Sequence, residues 1–265
     1  MGTSLTLFQV RGIDVRVHWS FALILVYGAV SYAASGNTFI GGALYGVLVI
    51  LLLFLCVTLH EFGHALVAQH YGINVPTITL LPIGGVASLE RMPDKPIQEL
   101  LIAIAGPLVN FALVFLMVPI LVLVTGYEVY FNGMTPDVGL LMGNMRTPGL
   151  LNLVSYLLVV NVMLALFNLL PAFPMDGGRI LRALLAMTMP YVKATRIAVF
   201  VGRIMAVIFA IWGITSGNLF LLLIAFFVYV GGKGELDSAR TRRALNDVTV
   251  RAVLRPNNIR LYTSE

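Results

Sequence analysis

Three residues in the segment LHEFGHALVAQH carry reactive side chains at a spacing that lets them act together: His60, Glu61 and His64. On a helix, His60 and His64 lie one turn apart on the same face, so both imidazoles can reach one metal ion. Glu61 is offset from His60 by about 100°, where it would touch a water on that ion rather than the ion. Two nitrogen ligands beside a carboxylate base make the zinc-hydrolase pattern HExxH. The residues around them are apolar, and a charged group at the centre of a bilayer costs at least about 2.5–3.5 kcal/mol. Such groups mark function.

A catalytic zinc takes three protein ligands and keeps a fourth position open. His70 lies about 9 Å along the helix axis from His64, too far to share the ion. His18, beside Trp19 at the start of the first apolar run, reads as an interfacial histidine. Asp176 is the remaining candidate, in the Gly-flanked turn FPMDGG, where Gly177 and Gly178 would let backbone approach the metal or a substrate. Asp176 also suits the N-cap of a helix beginning near Arg179, and the two roles can coexist. Cys56 stands one turn deeper than His60 on nearly the same face. It reads as a small buried hydrophobe, or else as the border of the metal cavity's floor.

The elements that must carry these residues are membrane helices. Of the 265 residues, 59% are hydrophobic and 11% charged, with a mean hydropathy of +0.93. That charge content is less than half the usual share of a soluble domain, about 25%, and it excludes an ordinary soluble enzyme, a disordered chain and a disulfide scaffold. Continuous rather than alternating apolar runs argue against an outer-membrane barrel. The single Cys56 allows no intrachain disulfide. Apolar runs predict six spans, at roughly 18–35, 43–70, 97–125, 150–170, 192–214 and 217–231. The first run reads as a span and not as a cleaved signal peptide, since more spans follow it.

The basic residues orient these spans. With the N-terminus inside, only Arg146 of the 17 basic residues falls outside, so the expectation is a multi-pass cell-membrane protein with both termini cytoplasmic. The net charge of +5 is therefore a matter of topology, and no nucleic acid partner is expected. Two connections are irregular. The segment Gly72–Pro96 contains TITLLPIGGVASL, too short to span, which reads as strands with a Pro/Gly break. The second, PAFPMDGGRILR within Leu170–Arg182, reads as a re-entrant loop that survives at membrane depth only beside protein or a water-filled cavity. The expected fold is an all-α polytopic membrane protein of six transmembrane helices, with a short membrane-associated β-strand segment and a re-entrant Pro/Gly-rich loop.

Four segments together resemble the site-2 protease family of intramembrane zinc metalloproteases, peptidase family M50: HEFGH at 60–64, LLPIGGVAS at 80–88, AGPLVN at 105–110 and NLLPAFPMDGGRILR at 168–182. The resemblance runs along nearly the whole chain. It implies one zinc per chain held by His60, His64 and Asp176, with Glu61 as general base. It further implies that Asn168 orients the substrate carbonyl or stabilises its oxyanion. The strand edge at Gly84, Gly85 and Val86 would meet an extended substrate, and Asn110 with Gly106 and Pro107 would mark the packed third span. The opening FQVRGIDVRVHWSF resembles the branch that carries C-terminal nucleotide-binding CBS domains.

The implied reaction is hydrolysis of peptide bonds in or next to transmembrane helices of a membrane-spanning protein substrate. The competing reading is a membrane metal or proton transporter with a buried His/Glu site. It would call for several acidic residues along a path, whereas only Glu61 and Asp176 stand out at depth. A chaperone without turnover fits less well with an intact HExxH. Residues 1–232 are expected to form the protease domain. Residues 233–265, which hold 11 of the 29 charged residues, are expected to form a basic cytoplasmic tail resembling the start of a CBS module.

Overall fold

The computed structural model describes residues 4–246 apart from 37, 83, 94, 126–130, 133–134 and 137–147. In chain order it forms β1 (Ser4–Val10), β2 (Ile13–His18), α1 (Phe21–Ala33), α2 (Phe39–His70), β3 (Thr77–Leu81), β4 (Gly84–Ser88) and α3 (Pro96–Thr125). After a two-residue strand pair at 131–136 come α4 (Leu150–Asn168), α5 (Asp176–Ala186), α6 (Tyr191–Ser216) and α7 (Leu219–Asn246). Arg146 and the CBS-like segment 248–265 lie outside the described residues.

Among the described residues, five helices are long and apolar enough to cross a membrane: Phe39–His70, Pro96–Leu123, Leu150–Asn168, Tyr191–Ser216 and Leu219–Thr241. The shortest, at 19 residues, extends about 28 Å, close to the hydrocarbon thickness of about 30 Å. The first expected span, 18–35, contains only the 13-residue helix α1, about 20 Å long. The chain just before it is committed to a strand. Ile13, Val15 and Val17 alternate with Asp14, Arg16 and His18, a period of two that suits a strand buried on one face.

Residues 4–18, which lead into the first expected span, thus form a hairpin and complete a four-stranded sheet of order β1-β2-β3-β4. Its tight turn is Arg11-Gly12, both at positive φ (50° and 79°), with Val10 paired to Ile13; this backbone twist matches that of the strands. β2 pairs parallel with β3 and β3 antiparallel with β4, so β4 is an outer strand. The buried face, with Ile13, Val15, Ile78 and Leu80, packs on Phe21 of α1, Phe54, Ala65 and Ala68 of α2, and Ile102 of α3. The sheet therefore lies against the half of α2 that carries His60 and His64.

The helices meet through small residues, as expected where apolar burial alone cannot drive helix association. Thr38 caps α2, its Oγ1 accepting from the Gly41 N–H at 3.0 Å. A side chain at Gly46 of α2 would place Cβ 2.0 Å from the Gly28 carbonyl oxygen of α1, so backbones touch there. α6 ends at Gly217 (φ 65°), and Asn218 Oδ1 accepts from the Phe220 N–H at 3.0 Å to start α7. α7 passes unbroken through 232–233, so the first residues of the expected tail belong to this helix. Gly46→Val should force α1 off α2, an overpacking cost of about 1–3 kcal/mol. Gly234→Ala, in open space on α7, should stabilise by up to about 1 kcal/mol. Thermal unfolding in detergent checks both, and a Gly46→Val protein that melts with wild type would refute the close crossing.

Candidate metal centre

His60 and His64 occupy successive turns of α2, their rings edge to face with centroids 4.7 Å apart. Asp176 is the first residue of α5, and its Oδ2 lies 3.3 Å from His60 Nε2 and 3.1 Å from His64 Nε2. The two Nε2 atoms are 3.1 Å apart. All three residues are buried, with relative exposures of 6%, 7% and 7%. Residues distant in sequence and carried on two helices thus present three donor atoms to one point.

The arrangement fits a metal ion. His64 Nδ1–H donates to the Ile102 carbonyl of α3 at 2.7 Å, which leaves a lone pair on Nε2 facing the Asp176 carboxylate. Acceptors facing one another in a buried site repel unless a cation lies among them. Their separations of 3.1–3.3 Å match the ligand–ligand edges of about 3.3 Å around a tetrahedral zinc with bonds of about 2.0–2.1 Å. Two imidazoles and one carboxylate leave the fourth position open. Space is kept by Gly106 of α3: a Cβ there would sit 2.2 Å from His64 Nε2 and 2.7 Å from His60 Cε1. α3 crosses α2 as closely beside it, since a Cβ on Gly63 would meet the Ala105 carbonyl oxygen at 2.8 Å.

Glu61 lies outside the triad, half-buried on the neighbouring face of α2. The strand β4 crosses it: a Cβ on Gly85 would stand 2.7 Å from Glu61 Cγ. The outer strand of the sheet is therefore laid directly over the candidate base. Gly84 has φ 139°, and Val86 is 51% exposed.

Asn110, one turn beyond Gly106 on α3, is completely buried, and neither of its side-chain amide atoms has a hydrogen-bond partner among the described residues. Asn168 is the last residue of α4 and half-buried. The N-cap of α5 is Met175 rather than Asp176, so the Asp176 carboxylate is free of capping duty and turned to the histidines. Gly177 and Gly178 do not face the metal position. A Cβ on Gly177 would lie 2.2 Å from the Leu170 carbonyl oxygen, and one on Gly178 2.7 Å from Ala172 and Phe173 backbone atoms. These glycines let residues 169–173 fold tightly over the first turn of α5.

His70 packs against Tyr71 at the exposed end of α2, and His18 pairs with Ser20 Oγ at 2.7 Å beside Trp19, each away from the triad. Cys56 is packed among Val49, Leu153 and Leu157, the environment of a small hydrophobe. Sequence reasoning missed Arg182, Glu99 and Glu235. Counted with the loop charges, they instead form an ion-paired group centred on the buried Arg182, six residues after Asp176 on α5. No local pattern announces it, because the three lie on α5, α3 and α7.

Comparison with known proteins places the chain in a family. The pattern of Peptidase family M50 matches residues 48–209, a span that includes all three candidate ligands. A zinc metalloprotease of Methanocaldococcus jannaschii is 35% identical over 98% of this chain and 68% of its own length. Stage IV sporulation protein FB of Bacillus subtilis is 28% identical over 56% of this chain and 44% of its own. Among solved structures, the Site-2 Protease from Methanocaldococcus jannaschii superposes with a TM-score of 0.58 at 37% identity, covering 88% of this chain and 95% of that one. With a family match over more than half its length and a relative 35% identical over 98% of it, the chain belongs to peptidase family M50, as a multi-pass membrane zinc metalloprotease of the site-2 type.

Proposed function

We propose that His60, His64 and Asp176 hold one Zn²⁺ and that Glu61 carries the proton in cleavage of peptide bonds in or next to substrate transmembrane helices. The observation that carries this reading is the convergence of three buried donor atoms, 3.1–3.3 Å apart, inside apolar helices. A zinc ion held there supplies Lewis-acid polarisation of a carbonyl and a water of near-neutral pKa. Glu61 accepts a proton from the attacking water and passes it to the leaving amine. Asn168, eight residues before Asp176 at the end of α4, orients the scissile carbonyl or donates to its oxyanion. Asn110, buried with both amide atoms unpaired, offers a donor and an acceptor to unwound substrate backbone.

A substrate helix hides its carbonyls in internal hydrogen bonds and must unwind before attack. The outer edge of β4 at Gly84, Gly85 and Val86 would receive the extended segment by strand addition, and Gly85 against Glu61 would bring that segment to the base. In this reading α1 is a short sixth span, and both termini face the cytoplasm of a cell-membrane protein, as the basic residues imply. His60 then lies about 15 Å from the cytoplasmic end of α2. The transporter reading needs further carboxylates free to line a path. The other buried carboxylate among the described residues, Glu99, is instead ion-paired with Arg182.

Glu61→Gln should keep about one zinc per chain yet lose cleavage of a helical membrane substrate, whereas Asp176→Ala should lose the zinc as well. Metal analysis beside a gel-based cleavage assay checks this, and loss of zinc in Glu61→Gln would make Glu61 a ligand. Gly85→Val pushes β4 off Glu61 without touching the triad. Turnover should fall about 10²-fold, the cost of a displacement near 1 Å, with zinc content unchanged. Wild-type turnover in that variant would separate β4 from catalysis.

A further inference from the structure

Arg182 is among the largest completely buried side chains, with 1% relative exposure. Its Nε donates to Glu99 Oε1 at 2.7 Å, and a second guanidinium nitrogen meets the same carboxylate. The remaining arm donates to Glu235 Oε2 at 2.7 Å. The guanidinium carbon sits 4.8 Å from the Phe173 ring centroid and 5.1 Å from that of Tyr191. One side chain of α5 therefore joins the first turn of α3, the turn before α5, the start of α6 and the middle of α7. A buried ion group of this kind is poor evidence for a stability role, because apolar replacements of equal volume often do as well. Its planar fork does fix relative position, which a lysine in the same place would not.

What it positions is legible in the connections. Glu99 stands three residues before Ile102 on α3, and the Ile102 carbonyl holds His64 Nδ1. Arg182 stands six residues after Asp176 on the 11-residue α5. The contacts close a ring: His64 to Ile102, along α3 to Glu99, across to Arg182, back along α5 to Asp176, and through the donor atoms to His64. The Glu99–Arg182 pair thus sets the spacing between the helix that steers one ligand and the helix that carries another. α7 grips the same unit twice. A Cβ on Gly231 would lie 2.7 Å from Pro174 Cδ, two residues before Asp176, and Glu235 one turn later takes Arg182.

Building on the metal reading above, we propose that Arg182 is a positioning residue for the metal ligand Asp176, and that through Glu235 it ties the geometry of the metal centre to the placement of helix α7. Outer groups of this kind typically tune metal affinity by 10–100-fold. The test is titration of the metal-free full chain in detergent micelles with Co²⁺ alone, reading the dissociation constant and the visible d–d absorption. Wild type, Asp176→Ala, Glu235→Gln, Arg182→Lys and Asp237→Asn are compared, with the thermal midpoint of each metal-free protein.

Glu235→Gln should weaken Co²⁺ about tenfold and alter the d–d bands, with Arg182→Lys doing the same more strongly. Asp237→Asn, an exposed position on the same helix paired with Arg240 at 3.8 Å, should move neither readout. Glu235→Gln that lowers the thermal midpoint while binding Co²⁺ with wild-type affinity and spectrum would make the group structural and overturn the proposal. Wild type and Asp176→Ala that bind Co²⁺ alike would overturn the metal reading itself.

Discussion

Three acceptor atoms from residues 60, 64 and 176 are held within 3.3 Å of one another in a part of the protein that water does not freely solvate. Most of the neighbouring architecture follows from keeping them there. α3 must come close enough for the Ile102 carbonyl to steer His64, and Gly63 and Gly106 permit that approach. Gly106 also leaves room at the ligand atoms, where any larger residue would put carbon. α5 must begin at Asp176, and residues 169–173 fold over its first turn because Gly177 and Gly178 carry no side chains. Gly63, Gly106, Gly177 and Gly178 thus stand where backbones meet around the donor set.

Around this centre the polar groups fall into two layers. The inner layer is the donor set and the carboxylate of Glu61 beside it. The outer layer is Arg182 with Glu99 and Glu235, stacked on Phe173 and Tyr191. An arginine is suited to this place because its fork can engage two carboxylates in fixed directions while its faces rest on aromatic rings. Its charge is met by Glu99 and Glu235, so it can be buried on the helix that begins with Asp176.

The sheet gives the centre a direction of approach. β2 and β3 are held at its middle by the apolar face that packs on α1, α2 and α3, which leaves β4 outermost and laid over Glu61. An outer strand presents unpaired backbone groups. In most proteins these are a hazard; in the proposed mechanism they would be the docking edge for a chain that must give up its own hydrogen bonds. Gly85 makes this possible by letting the strand pass within contact distance of Glu61.

Several features are dictated by the sequence itself. Continuous apolar runs require membrane helices, since every backbone polar group must be satisfied within the bilayer, and five such helices are present among the described residues. The spacing of His60 and His64 puts two imidazoles on one helix face, and the Pro/Gly content of 72–96 breaks the chain into strands. Alternation at 13–18 also encodes β2, but hydropathy summed over a window blurs a period of two into the apolar run that follows, and so α1 is shorter than that sum suggests. Tertiary structure decided the rest. That Asp176 faces the histidines rather than capping its own helix depends on where α5 lands on α2 and α3. That Gly177 and Gly178 serve chain packing, and that Arg182, Glu99 and Glu235 are ion-paired partners rather than loop charges, depends on contacts between residues up to 83 positions apart. Local periodicity reports which face of an element is apolar. It carries no information on which distant carboxylate will meet a given guanidinium, because that is settled only when the helices pack.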